Sequence, residues 1–380
     1  MNIKKSAITY PGSDCYSPEE LAAPGRTELP LGEAPLVRAI DTAYIMFQLP
    51  DLNLQGQFLQ DFGLVKAGQN DKAIYMRGYG HHPYIYSAYQ GDKAAFLGAG
   101  FMLASEEALQ KVAIATSRNI EPVDGPGGGV RVRLKDPDGF IVDLVHGRAE
   151  VEPLSTRREP LPVNLPDKKT RINRGQRPAL EPSAVERFGH YVIMASDFEA
   201  SWHWYRKHLG ILPTDVLCTA TGRPFLTFNR LDRDSEPADH HTVVLARGPR
   251  ANYLHSAFET LDIDSIGQGQ QYLKTKGWKH WWGIGRHILG SQIFDYWQDP
   301  YGYELEHYAD GDVFDNNHVT QYHLADRGSL WAWGNDVPSA VRPKPKLKDI
   351  IKLIFGNREN RAIMLEMKSA MERKPRPWLK

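Results

Sequence analysis

The chain carries one run of elements twice, and this repeat limits its fold more than any other feature. One copy ends in Asp136-Pro-Asp-Gly-Phe-Ile-Val-Asp143 and the other in Asp299-Pro-Tyr-Gly-Tyr-Glu-Leu-Glu306. In both, a tight turn leads into a strand whose seventh residue past the aspartate is acidic. The order upstream repeats as well. An apolar strand (42–48, then 188–195) precedes a helix opened at Asp51 or Asp197 and stopped near Gly63 or Gly210. Further strands are expected over 73–77, 84–89 and 96–103, a helix from Ser105, and a strand–turn–strand over 129–144. In the second half they fall over 225–229, 242–246 and 254–262, with a helix over 265–276 and a closing hairpin over 292–298 and 303–308. The unit is strand, helix, three strands, and each half holds it twice. Such a unit curls but leaves one side of its sheet open, so two side by side make a cup. The predicted fold is α+β: tandem βαβββ modules forming two cupped, mixed-sheet, barrel-like domains, plus a C-terminal helical tail.

Six segments follow from this pattern. Residues 1–35 are rich in Pro and Gly and read as an arm. Residues 36–150 form the first domain. The repeated prolines and scattered charges of 151–184 mark a linker laid over a surface. Residues 185–312 form the second domain. Residues 313–345 read as a wrapping lid segment. The amphipathic run 346–380 is expected to form helices that dock on the body or on a neighbouring subunit.

Composition removes several classes of function. Lys plus Arg and Asp plus Glu number 46 each, so no overall basic field points to nucleic acid. No apolar run approaches the roughly 20 residues a membrane helix needs. The first 30 residues lack the apolar segment of a signal peptide. Two cysteines, Cys15 and Cys218, cannot build a disulfide framework or a thiolate metal site, and a cytoplasmic location is expected.

Only the second copy holds the groups a metal needs. Aligning Leu97–Phe101 with Leu254–Phe258 sets Gly98 opposite His255. Aligning the opening strands sets Ala43 or Tyr44 opposite His190, while Asp143 stays opposite Glu306. Strand alternation puts Glu304 and Glu306 on one face, and an inward carboxylate is costly unless paired or metal-bound. Two histidines and one carboxylate are the set expected of a non-haem Fe(II) site with open positions. Mn(II) accepts the same set. The first half is expected to be a scaffold.

Over residues 36–310, and most strongly over 188–310, the chain resembles the two-domain extradiol ring-cleavage dioxygenases of the vicinal oxygen chelate superfamily. The likeness rests on Gly189-His190, Leu254-His-Ser-Ala-Phe258, Gly285-Arg-His287, Tyr296 and the turn ending at Glu306. It implies metal ligands at His190, His255 and Glu306. It implies an acid–base histidine at His240, with the adjoining His241 as the alternative, and hydrogen bonds from His287 and Tyr296 to substrate oxygens. Arg286, Val192 and Arg327 become candidate substrate contacts, the last through a lid like that of the longer members. The implied reaction opens a catechol ring beside its hydroxyls with O2. Other implied partners are further copies of the chain, as a dimer or tetramer, with no nucleic acid and no membrane. Runner-up readings are hydroquinone cleavage or another metal-dependent reaction on the same fold, such as isomerisation, or a metal-free binding protein. His203 and His208 on one helix and His81-His82 in a turn are read as bystanders; His318 and His323 are candidates for the pocket wall.

Overall fold

The computed structural model describes residues 27–325 and 330–338, and residues 361, 362, 365, 366, 368 and 369 near the C-terminus. The first half runs β1 (Ala39–Leu49), α1 (Leu52–Phe62), β2 (Val65–Gln69), β3 (Ala73–Arg77), β4 (Tyr86–Gln90), β5 (Ala95–Leu103), α2 (Glu106–Thr116), β6 (Ile120–Pro122), β7 (Val130–Lys135) and β8 (Ile141–His146). The second runs β9 (Val185–Ala195), α3 (Phe198–Leu209), β10 (Ile211–Cys218), β11 (Pro224–Leu231), β12 (Ala238–Asp239), β13 (Val243–Arg247), β14 (Asn252–Thr260), α4 (Ile263–Thr275), β15 (Lys279–Arg286), β16 (Ile293–Gln298) and β17 (Glu304–Ala309). Short strands β18 (Val313–Phe314), β19 (Gln321–Leu324) and β20 (Trp333–Gly334) follow.

The predicted α+β class with tandem βαβββ modules is what the chain adopts. Each half is one mixed sheet, ordered β2-β3-β4-β1-β5-β8-β7-β6 and β19-β10-β11-β13-β9-β14-β17-β16-β15-β20. In each, two modules meet through one antiparallel pair, β1 with β5 and β9 with β14. The parallel pairs β1–β4, β5–β8, β9–β13 and β14–β17 then complete the curl. Neither sheet closes on itself, so the expected barrels are open cups.

Local chemistry explains the element ends. Asp51, Asp197 and Asp262 cap α1, α3 and α4 with their carboxylates, and Ser105 caps α2 with its hydroxyl. Asp262 starts α4 at Ile263, two residues earlier than the expected Ser265, because the cap and not the apolar pattern sets the first turn. Asp136 accepts the backbone N–H groups of Asp138 and Phe140, and Asp299 those of Tyr301 and Tyr303, which shapes the two tight turns.

Eight strands were not anticipated: β2, β6, β10, β12, β15 and the short β18, β19 and β20. β10 contains Pro213, yet its outer partner β19 begins pairing only at Asp215, so no ladder bond is lost at the proline. β15 contains Gly283 and Gly285, and its pairing with β16 shifts register there.

One core joins the halves. Phe62 of α1 packs edge-on against Phe258 of β14, and Phe96 of β5 contacts Tyr191 of β9 and Tyr253 of β14. The described part of the N-terminal arm lies on the second half, where Trp202 donates to the Pro30 carbonyl (3.1 Å). Most of the predicted helical tail lies outside the described residues; within it, Glu366 accepts from Thr221 (3.0 Å). Among the described residues no helix is long and apolar enough to cross a membrane.

Gly63 closes the C-terminus of α1 at φ 112°, and a Cβ there would collide with the Ser183 carbonyl at the entry to β9. Gly63→Ala is expected to cost more than about 1 kcal/mol. A denaturation midpoint equal to wild type would show that this contact yields without penalty.

Candidate functional site

The three candidate ligands are assembled by sheet register. Ala257 of β14 has His190 of β9 as its partner on one side and Glu306 of β17 on the other. Tyr296 of β16 continues the row beside Glu306. Register partners project to the same face. His255 stands two residues before Ala257 and so shares that face. The small methyl of Ala257 leaves space between the flanking side chains.

The ligand atoms of His190, His255 and Glu306 lie within 4.8 Å of one another. The Nε2 atoms of His190 and His255 are each 3.4 Å from Glu306 Oε2. His287 Nε2 is 3.7 Å from Oε1. Glu306 is fully buried, yet neither of its oxygens makes a hydrogen bond of ordinary geometry. Burial alone would raise this carboxyl, but His190, His255 and His287 hold it well below its usual range. Burial lowers His190 and favours the neutral imidazole, the form that binds metal. A buried anion facing imidazoles without bonding to them fits a divalent cation between them.

His190, His255 and His287 line a cavity of about 550 Å³. Val192, Leu226, Phe228 and Trp282 supply much of its apolar wall. Leu330 and Val337 of the wrapping segment line it too. No lysine or arginine is on the wall among the described residues. Glu304 is on it, and burial pushes that carboxyl up to about 7.

His287 and Tyr296 form a pair beside the ligands, with Nε2 and the hydroxyl 2.9 Å apart. His287 Nδ1 is 2.6 Å from the Leu330 carbonyl, which can only accept, so Nδ1 carries the proton and Nε2 accepts from Tyr296. Burial, then the Glu306 charge, pushes the Tyr296 phenol well above its usual range, so it stays a donor.

The two adjacent histidines separate in space. His241 lines the cavity and its ring lies 4.0 Å from that of His190. His240 is buried behind it, with Nε2 2.6 Å from Asp215 and Nδ1 2.7 Å from His241 Nδ1. Burial, then His190 and His240, hold the His241 imidazole well below its usual range and therefore neutral.

The other candidates are placed as follows. Val192 is on the cavity wall. Arg286 is not; its guanidinium meets Asp310 (2.8 Å) and donates to the Ser291 carbonyl (2.6 Å). Arg327 lies outside the described residues. His323 is 2.9 Å from Asp215, and His318 contacts the Thr214 carbonyl. His203 is exposed on α3. Asp215 was not anticipated: a lone acid in a Pro-containing strand carries no signal until the fold brings His240 and His323 to it.

The first half shows what the same frame does without the ligands. Its equivalent row is Tyr44, Gly100, Asp143 and Arg133. Arg133 grips Asp143 with two bonds of 2.8 Å, and the Tyr44 hydroxyl donates to it at 3.0 Å. A guanidinium fills the electrostatic role that a cation would take in the second half. Gly98 stands where His255 does, with its Cα packed so closely that a Cβ would collide with the Ile141 carbonyl.

Residues 187–307 match the model of the Glyoxalase/Bleomycin resistance protein/Dioxygenase superfamily. Within that class the likeness is to the type I extradiol ring-cleavage dioxygenases, as expected from the sequence. Metapyrocatechase 2 of Cupriavidus necator is 27% identical over 322 residues, covering 80% of this chain and 90% of the relative. An extradiol ring-cleaving dioxygenase from Brevibacterium fuscum shares the fold with a TM-score of 0.66 at 21% identity, over 83% of this chain and 85% of that one. The Mn(II)-bound glyoxalase of Novosphingobium aromaticivorans does so with a TM-score of 0.66 at 21% identity, over 81% of this chain and 95% of that one.

Asp143→Ala should leave the half-buried Arg133 without its partner and lower stability in chemical denaturation, by less than the roughly 3–5 kcal/mol lost when a fully buried pair is broken. Metal content per chain should not change. Loss of metal in this variant would place the ion in the first half.

Proposed function

We propose that this chain is an extradiol dioxygenase. It holds Fe(II) through His190, His255 and Glu306 and uses O2 to open the ring of a catechol-type substrate beside its hydroxyls. The observation that carries this reading is the buried, unbonded Glu306 carboxylate facing two imidazoles that line an apolar cavity. Three protein ligands leave positions for two substrate oxygens and O2. When bound, Fe(II) would relay electrons between a singlet ring and triplet O2. Mn(II) suits the same donors.

The chain's own residues do the rest. His241, neutral and on the cavity wall, takes a proton from a substrate hydroxyl. The Tyr296 hydroxyl donates to His287 Nε2 and accepts at its oxygen from a substrate hydroxyl, and His287, held by the Leu330 carbonyl, orients it. Phe228, Leu226 and Trp282 pack the ring and keep water out. Among the described residues the wall offers a substrate carboxylate no cation, which suits an uncharged aromatic diol.

The Novosphingobium glyoxalase matches the fold equally well, so metal-dependent isomerisation is the rival. Oxygen uptake separates the two. After anaerobic loading with Fe(II), a panel of catechols should give O2 consumption and a coloured ring-opened product. Bound metal with no O2 uptake from any catechol or hydroquinone would overturn the proposal.

His190→Ala, His255→Ala and Glu306→Ala should each abolish metal retention while the fold persists; stoichiometric iron in any of them removes that residue from the ligand set. His241→Phe should keep metal and bind catechol, yet turn over on the order of 10²–10⁴-fold more slowly. Near-normal turnover would exclude His241 as the proton acceptor.

A further inference from the structure

We infer that Asp215 and His240 are a positioning pair that fixes the tautomer of His241 and leaves its Nε2 bare toward the cavity. The inference rests on His241 as the proton acceptor proposed above. It adds residues that never touch substrate.

The argument is a count of protons along one line of contacts. Asp215 is an acceptor at both oxygens, with His240 Nε2 at 2.6 Å from Oδ2 and His323 Nε2 at 2.9 Å from Oδ1. Burial would raise this carboxyl, yet the two imidazoles hold it well below the usual range. It therefore has no proton to give, and His240 Nε2 must carry one. His240 is buried against Phe228 and Phe314, and one proton satisfies both of its polar neighbours, with Nε2 donating to Asp215 and Nδ1 accepting from His241. A neutral ring protonated on Nε2 has a lone pair on Nδ1. The contact of 2.7 Å between the two Nδ1 atoms then needs its proton from His241. His241 Nδ1 is thus spent as a donor, and Nε2 is left unprotonated. That nitrogen makes no hydrogen bond among the described residues.

The frame around the pair allows little else. The His240 backbone N–H donates to the Asp312 carbonyl (2.8 Å). Gly290, at φ 79°, abuts the ring so closely that a Cβ would lie 2.9 Å from Nδ1. A rotated imidazole would lose both the carboxylate and the neighbouring ring.

The test reads ring nitrogens directly. Full-length protein labelled with 15N-histidine and loaded with Zn(II), which is diamagnetic, is examined by long-range proton–nitrogen correlation. His241→Gln assigns the signal. In wild type, Nδ1 of His241 should carry the proton and Nε2 should have the shift of a bare nitrogen. Asp215→Leu should abolish this preference. In the Fe(II)-loaded form the same variant should lower kcat by about 10–100-fold, with KM for catechol and metal content unchanged. A wild-type His241 protonated on Nε2 overturns the inference, and this spectrum decides it even if the variant does not fold. So does a folded Asp215→Leu with unaltered tautomer and kcat. The nitrogen spectrum needs no catechol turnover, so failure of the tautomer assignment and failure of the dioxygenase reading are separate results.

Discussion

A carboxylate buried in the centre of each cup governs what can surround it. Asp143 and Glu306 occupy the same register position, next to the small residue of the central strand pair. Neither can be left alone, because an unpaired buried charge costs more than a fold of this size can spare. The two halves answer the same electrostatic demand differently. One encloses the anion with Arg133 and the Tyr44 hydroxyl. The other surrounds it with imidazoles, which cannot neutralise the anion without taking up a proton. The site exists because the second half leaves its charge problem unsolved by protein groups.

That demand also explains which features could be read in the sequence. The Asp-Pro-x-Gly turns were legible because their aspartates bond to backbone two and four residues ahead, a wholly local interaction. The candidate ligand set stood out because a repeat supplies its own control, with Gly98 and Tyr44 opposite His255 and His190. The choice between His240 and His241 was not, because both precede β13 and only the packed fold shows which ring reaches the cavity. Asp215 was hidden for the same reason, its partners being 25 and 108 residues away. β15 was missed because its glycines break the alternation that marks a strand, although they permit the close approach of Trp333.

The silent half is more than ballast. His307, next to the ligand Glu306, stacks on Phe62 at 3.8 Å and bonds through Nε2 to the Phe62 carbonyl at 2.6 Å. The ligand strand is thereby fastened to α1 of the other domain. On the opposite wall, Leu330 fixes the ring of His287 through its carbonyl, and Trp282 donates to the Asn335 carbonyl at 2.8 Å. The cavity is held from two directions by segments that contribute no ligand.

The tight backbone at Gly98 keeps the two halves from exchanging roles. A histidine cannot enter there unless the strand carrying Ile141 first moves aside, and that strand also carries Asp143. A second centre there would require coordinated changes at Tyr44, Gly98 and Arg133, so the division of labour between the halves is held in place by backbone spacing as much as by side chains.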